Sequence, residues 1–155
     1  MSGSTKGQVC PKRKFIEPMY EIDPRLDADT IFVGSLGQSD LLLMNDSRWF
    51  WLILSPRIED AVEWHELHTD QRQDLDFEIA NVAAVLKGMS ACKKVNIASL
   101  GNVVDQLHIH IVARNEEDEN WPNPVWGYGN KVPYHEDAAI QIIEVLREHL
   151  DLEAL

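Results

Sequence analysis

Polar and apolar positions alternate strictly along Gln106-Leu107-His108-Ile109-His110-Ile111-Val112, and a period of two predicts a half-buried β-strand. Side chains alternate sides along a strand, so Gln106, His108, His110 and Val112 share one face, with Leu107, Ile109, Ile111 and Ala113 on the other. Earlier, short apolar runs over residues 30–36, 40–45 and 50–55 are split by Gly37-Gln38 and Asp46-Ser47-Arg48, the pattern of an antiparallel meander. Pro56 has no N–H for a ladder and ends the third run, leaving Arg57 at a strand end. With Thr69 as N-cap, Leu75, Ile79, Val82 and Leu86 recur at helical spacing up to Gly88 and predict a helix over 70–87. Phe77, Ala80 and Ala83 widen its apolar stripe, which reads as core. Residues 94–100 form another β run, which Gly101-Asn102 turns into the histidine strand, so these two should pair as a hairpin reaching Arg114. The acidic stretch 115–120 reads as a solvated loop. Residues 121–127, Trp-Pro-Asn-Pro-Val-Trp-Gly, hold too much proline for a helix or central strand and form a loop that either packs its aromatics over the sheet edge or stacks them on something planar. Ala139, Ile143, Leu146 and Leu150 mark a last amphipathic helix over 136–150. Strands and helices do not alternate as parallel βαβ units would, and there are no internal repeats. The expected fold is α+β, an antiparallel sheet of about five strands with two helices on one face.

A length of 155 residues with 45% hydrophobic content suits one domain. We take residues 1–18 as a flexible, solvated extension carrying the basic run Lys12-Arg13-Lys14, and 19–155 as the domain, with Met19 an alternative start. Twenty-six acidic against 14 basic residues give a net charge of −12, which disfavours nucleic acid and anionic membrane surfaces as partners. The longest apolar runs, such as 41–44, fall far short of a bilayer span, and no secretory signal is evident, so a soluble cytoplasmic protein is expected. Cys10 and Cys92 form no CxxC pair and read as free thiols of a reducing compartment.

The two strand histidines leave the backbone about 6.6 Å apart, close enough to converge on one phosphate, one metal or one substrate oxygen. Three readings compete. Both are core histidines satisfied by backbone; or they hold zinc, which needs a third or fourth ligand that no recognisable spacing supplies; or they do phosphoryl chemistry, one neutral imidazole attacking phosphorus while a protonated neighbour stabilises the developing charge. His65 and His68 also stand at helical spacing, but a loop preceding a helix is a poor base for a rigid site, and a surface or capping role is expected.

This stretch, with Asn96 and Gly101-Asn102 before it and Arg114 after it, resembles the histidine triad family of nucleotide hydrolases and transferases. The similarity covers about residues 25–127, including Leu43-Met44-Asn45, Pro56-Arg57 and the helix that follows. The family motif reads His-φ-His-φ-His-φ-φ; here Gln106 replaces the first histidine, as in a bacterial subgroup similar to diadenosine tetraphosphate hydrolases. The resemblance implies that His108 is the nucleophile, attacking the α-phosphorus of a purine nucleotide conjugate (a dinucleoside polyphosphate or a phosphoramidate) to form a nucleotidyl-histidine. It implies that His110 bonds the phosphate near the leaving group, that Asn45 lies near the ribose, and that Asn96, Asn102 and the Gln106 amide face the phosphates, with Ile22 and Leu43 walling the base. Arg114 is a further candidate phosphate donor. Neither cofactor nor metal is implied, and a homodimer formed by extending the sheet is. Gln106 hydrogen-bonds but does not exchange protons at neutral pH, so any acid-base role of the replaced histidine is lost. The rival readings are a nucleotide-binding protein with vestigial catalysis and a metal protein using His108 and His110.

Overall fold

The computed structural model describes residues 20–152; the expected extension over 1–18, and Cys10 within it, lie outside the described residues. Five strands form one antiparallel sheet: β1 (Thr30–Ser35), β2 (Ser39–Met44), β3 (Trp51–Pro56), β4 (Lys94–Ala98) and β5 (Ile109–Arg114), in the order β1-β2-β3-β5-β4. The first three make the expected meander, and β3 ends at Pro56. The chain then crosses one face and returns at the far edge, so β5 runs between β3 and β4 and is held by ladders on both sides. That central place gives the histidine strand its rigidity.

Helices α2 (Thr69–Ser90) and α3 (Glu136–Leu150) cover one face, where Leu41, Leu43, Leu52, Leu54, Ile109 and Ile111 meet Leu75, Val82, Leu86, Ile143 and Leu146. The other face of the same strands buries Leu42, Met44, Trp51, Ile53 and Val112 against Leu26, Val104 and Val125. Alternation along each strand therefore serves two apolar clusters.

Four local expectations need correction. A third helix, α1 (Pro24–Asp29), is too short to show periodicity; Asp23 starts it, its carboxylate accepting from the Arg25 N–H at 2.9 Å, with Pro24 supplying a fixed φ in the first turn. At α2 the cap is His68 rather than Thr69, and the His68 N–H donates to Gln71 Oε1 at 2.9 Å. The stripe of α2 also differs: Phe77, about 200° round the helix from Leu75, is 73% exposed and Ala80 is exposed, while Glu78 is buried. Glu78 accepts from the Gln38 N–H at 2.6 Å and from the Ser39 hydroxyl, pinning the β1–β2 turn against the helix. Last, β4 and β5 pair as expected, with Lys94 opposite Arg114 and Ala98 opposite His110, but no tight turn joins them. The ladder begins only at Ile109 because the Leu107 N–H donates to Ala61 O instead, at 2.8 Å.

Candidate active site

His110 stands in the middle of the sheet, opposite Ile53 of β3 on one side and Ala98 of β4 on the other, and His108 lies just before the ladder starts. Both are buried, their ring centroids 4.8 Å apart and their planes at 76°. The hydrogen-bond partners fix the tautomers. His108 Nδ1 lies 2.7 Å from the Gln106 carbonyl oxygen, which only accepts, so Nδ1 carries the proton and Nε2 keeps a bare lone pair. Trp51 Nε1–H, which only donates, reaches His110 Nδ1 at 3.0 Å, so the proton of His110 sits on Nε2. The two rings thus present opposite chemistry at Nε2: one lone pair, one N–H.

Burial, reinforced by the neighbouring His108, lowers the pKa of His110 from 6.5 to about 3. His110 is therefore a neutral donor at physiological pH and does not supply the protonated imidazole that the chemistry of a histidine pair first suggests. Trp51 and Trp126 dry its surroundings, their centroids 5.5 and 5.3 Å from the imidazole and 5.7 Å from each other. The proline-rich loop thus packs both of its tryptophans on protein, since Trp121 lies under the Arg114 guanidinium at 5.6 Å.

In front of the histidines opens a cavity of about 450 Å³, within the range of small-ligand sites. Leu26, Met44, Val104 and Val125 provide its apolar wall, and Asn102 lines it beside the histidines. Arg25, Arg48 and Lys131 bring cations to the same space, each paired with a carboxylate: Arg25 with Asp23 at 2.8 Å, Arg48 with Asp46 at 2.6 Å, and Lys131 with Asp29. The Arg25 side chain and N–H hold Asp23 down at about 2. For Asp46, burial pushes upward, but the Arg48 guanidinium and the Val132 N–H outweigh it and leave the carboxyl below its ordinary range. The cavity is accordingly close to charge-balanced inside a strongly acidic chain.

Of the residues singled out in the sequence, His108, His110 and Asn102 line the cavity. Gln106 does not. Its Nε2 donates to Glu21 O and its Oε1 accepts from the Asp23 N–H, both at 2.9 Å, so the amide ties the segment before α1 to the lead-in of β5. Asn45 Oδ1 accepts from the Tyr134 N–H at 2.9 Å and anchors the chain entering α3. Asn96 Oδ1 lies 3.5 Å from Arg114. Arg114 is fully buried, gripping Asp118 at 3.0 Å and the Asn123 carbonyl at 2.9 Å; it builds the tryptophan loop and is not open to a phosphate. Leu43 points into the helix-covered core, and Ile22 packs beside the cavity without lining it, so neither forms a wall of the cavity. His65 and His68 are exposed, and among the described residues no group of three or more His, Cys, Asp or Glu side chains gathers around a common point.

Sequence reasoning missed Trp51, Arg25, Arg48 and Lys131. Trp51 shares a strand face with Trp49 and Ile53 by alternation, but only the β3–β5 register puts it against His110. The cations come from three separate segments, and no local spacing connects them.

The HIT domain family model matches residues 25–117. A histidine triad (HIT) protein from Sinorhizobium meliloti 1021 is 44% identical, with a TM-score of 0.82 over 84% of this chain and 96% of its own. A histidine triad protein from Bradyrhizobium japonicum is 41% identical at TM-score 0.84, covering 86% and 99%. One from Marinobacter aquaeolei VT8 is 39% identical at TM-score 0.84, covering 86% and 98%. No curated protein matches the chain. A family match over most of the domain, solved relatives aligned nearly end to end and a strand bearing two histidines agree: the chain belongs to the histidine triad (HIT) family, whose members in general bind nucleotides and hydrolyse or transfer nucleotide groups.

Proposed function

We propose that the protein hydrolyses or transfers the nucleoside monophosphoryl group of a purine nucleotide conjugate, a dinucleoside polyphosphate or phosphoramidate among the candidates, through a covalent nucleotidyl-His108. The observation that carries this is the opposed pair of tautomers on one rigid strand at the floor of a nucleotide-sized cavity. His108 Nε2 attacks the α-phosphorus while its Nδ1–H stays bonded to the Gln106 carbonyl, which steadies the ring as it becomes cationic. The His110 Nε2–H and the Asn102 amide donate to the non-bridging oxygens as charge grows on them, and Trp51 holds His110 in the tautomer that does so. Asn45, Asn96 and Gln106 act one step back, by holding the segments that build the cavity.

The same reading includes a homodimer joined through the outer edge of β4, where the ladder is open and Ile97 is 51% exposed. Among the described residues no helix is long and apolar enough to cross a membrane, and the acidic charge argues against nucleic acid or an anionic membrane surface as a partner.

Quenching the reaction early and weighing the intact protein tests the proposal. The expected result is an acid-labile nucleoside monophosphate adduct that peptide analysis maps to His108. An adduct on His110, or undiminished turnover in His108→Ala, overturns the assignment.

A further inference from the structure

On the histidine strand, the groups beside the reacting atoms are arranged so that none has a proton to give. His108 Nδ1–H is directed at the Gln106 carbonyl oxygen, away from its reactive Nε2. His110 has a bare Nδ1 facing the Trp51 indole N–H and a single proton on Nε2; giving that proton up completely would leave an imidazolate, far too basic to form at neutral pH. The position preceding them holds an amide rather than a titratable ring, and both its polar atoms are consumed by Glu21 O and the Asp23 N–H. Asp23 itself faces Arg25 as a carboxylate, the guanidinium groups of Arg25 and Arg48 are too basic to act as acids, and Lys131 is half exposed at the cavity and paired with Asp29. The strand groups orient and stabilise charge, but a departing atom that must be protonated finds no acid on the histidine strand.

We infer that this site expels its leaving group as an anion, without a proton from the protein, and so selects nucleoside phosphoanhydrides over conjugates whose leaving atom is an amine nitrogen or an alcohol oxygen. The inference rests on His108 as nucleophile. In the first step the His108 Nε2 lone pair forms the N–P bond, and the bridging P–O bond breaks with its electron pair on the leaving oxygen, which departs as part of a phosphate or polyphosphate. In the second step water attacks phosphorus, the P–N electron pair returns to Nε2, and the water proton passes to solvent. A phosphate leaves readily because its second pKa is about 6; an unsubstituted phenol, at about 10, leaves more slowly, and an unprotonated amine, which must depart as a far more basic amide anion, leaves worst.

A leaving-group series on the full chain tests this. Diadenosine tetraphosphate, adenosine monophosphate aryl esters running from nitrophenol to phenol, and the adenosine phosphoramidate of a primary amine are each mixed with excess protein, and formation of nucleotidyl-His108 is followed by quench and intact mass. The expected result is a rate that falls steadily as leaving-group pKa rises across the esters, with the amine conjugate slower than the anhydride by about 10²–10⁴-fold, the range a general acid would have supplied. A flat dependence across the esters, or an amine conjugate within tenfold of the anhydride, overturns the inference while leaving the nucleophile in place. An absence of adduct from every substrate instead removes the His108 assignment on which it stands.

Discussion

The two faces of β5 are built on different principles. On the helix-covered face Leu107, Ile109, Ile111 and Ala113 enter one apolar cluster, where burial is non-directional and any side chain of suitable volume serves. On the cavity face His108, His110 and Arg114 are equally buried, yet each is held by a named partner: a carbonyl, an indole N–H, a carboxylate. Taking polar groups out of water costs free energy unless they are hydrogen-bonded, so this face depends on directed partners, with Arg114 Nη2 left without one. One strand thus separates stability from chemistry by parity alone, and substitutions at adjacent positions should fail in different ways.

The sharpest break comes at His108. His108→Ala should lose at least about a thousandfold in turnover, since no other lone pair replaces its Nε2, while thermal unfolding shifts by only a few degrees. Three residues on, Ile111→Ala should do the reverse. Ile111 is fully buried between β3, β4 and the helices, and its truncation should cost about 2–5 kcal/mol by denaturant titration. The fraction that remains folded should keep near-normal turnover. If Ile111→Ala destroyed activity at full stability, the two faces would not be separable.

Acid should sharpen the same contrast. His110 is held at about 3, against 6.5 when the chain is unfolded, so the unfolded chain binds a proton that the folded one refuses. Its contribution to stability is complete above about pH 6.5 and is lost as pH falls toward 3, by up to about 1.4 kcal/mol per pH unit. His110→Gln, with nothing to titrate there, should show a shallower loss over that window when both proteins are unfolded in denaturant at stepped pH. Parallel curves would mean that His110 accepts its proton in place.

How far each face was legible in the sequence follows from the same physics. Burial leaves a periodic mark, and the last helix ran over residues 136–150 with Ala139, Ile143, Leu146 and Leu150 buried, as its spacing foretold. Periodicity failed where another force decided. Phe77 is apolar and widens the predicted stripe, but the α2 turn puts it outward and Glu78 inward, where that carboxylate bonds Gln38 and Ser39. Of the cavity, only His108, His110 and Asn102 were legible. Trp51 depended on a register between strands far apart in the chain, and Arg25, Arg48 and Lys131 on the closure of three loops, none of which a local pattern records. The family resemblance places Asn45 near the ribose and Gln106 at the phosphates, yet the structure occupies both in tying segments together.

The finest test concerns a single hydrogen bond. Trp51→Phe keeps a ring against Trp126 and in the apolar cluster but removes the indole N–H that faces His110 Nδ1. The imidazole then loses its reason to keep the proton on Nε2. In the other tautomer Nε2 would turn a lone pair toward the phosphate oxygens, where an N–H is needed. One neutral hydrogen bond is worth about 0.5–1.5 kcal/mol, so adduct formation should slow by about tenfold, with little change in the melting curve. Nitrogen NMR of the imidazole separates this from a loss of packing: wild type should show the proton on Nε2 of His110, and the variant a shift of population toward Nδ1. Should the tautomer and the rate both stay as they were, Trp51 would be a wall of the cavity and nothing more, and the polar face of β5 would owe less to directed partners than its geometry implies.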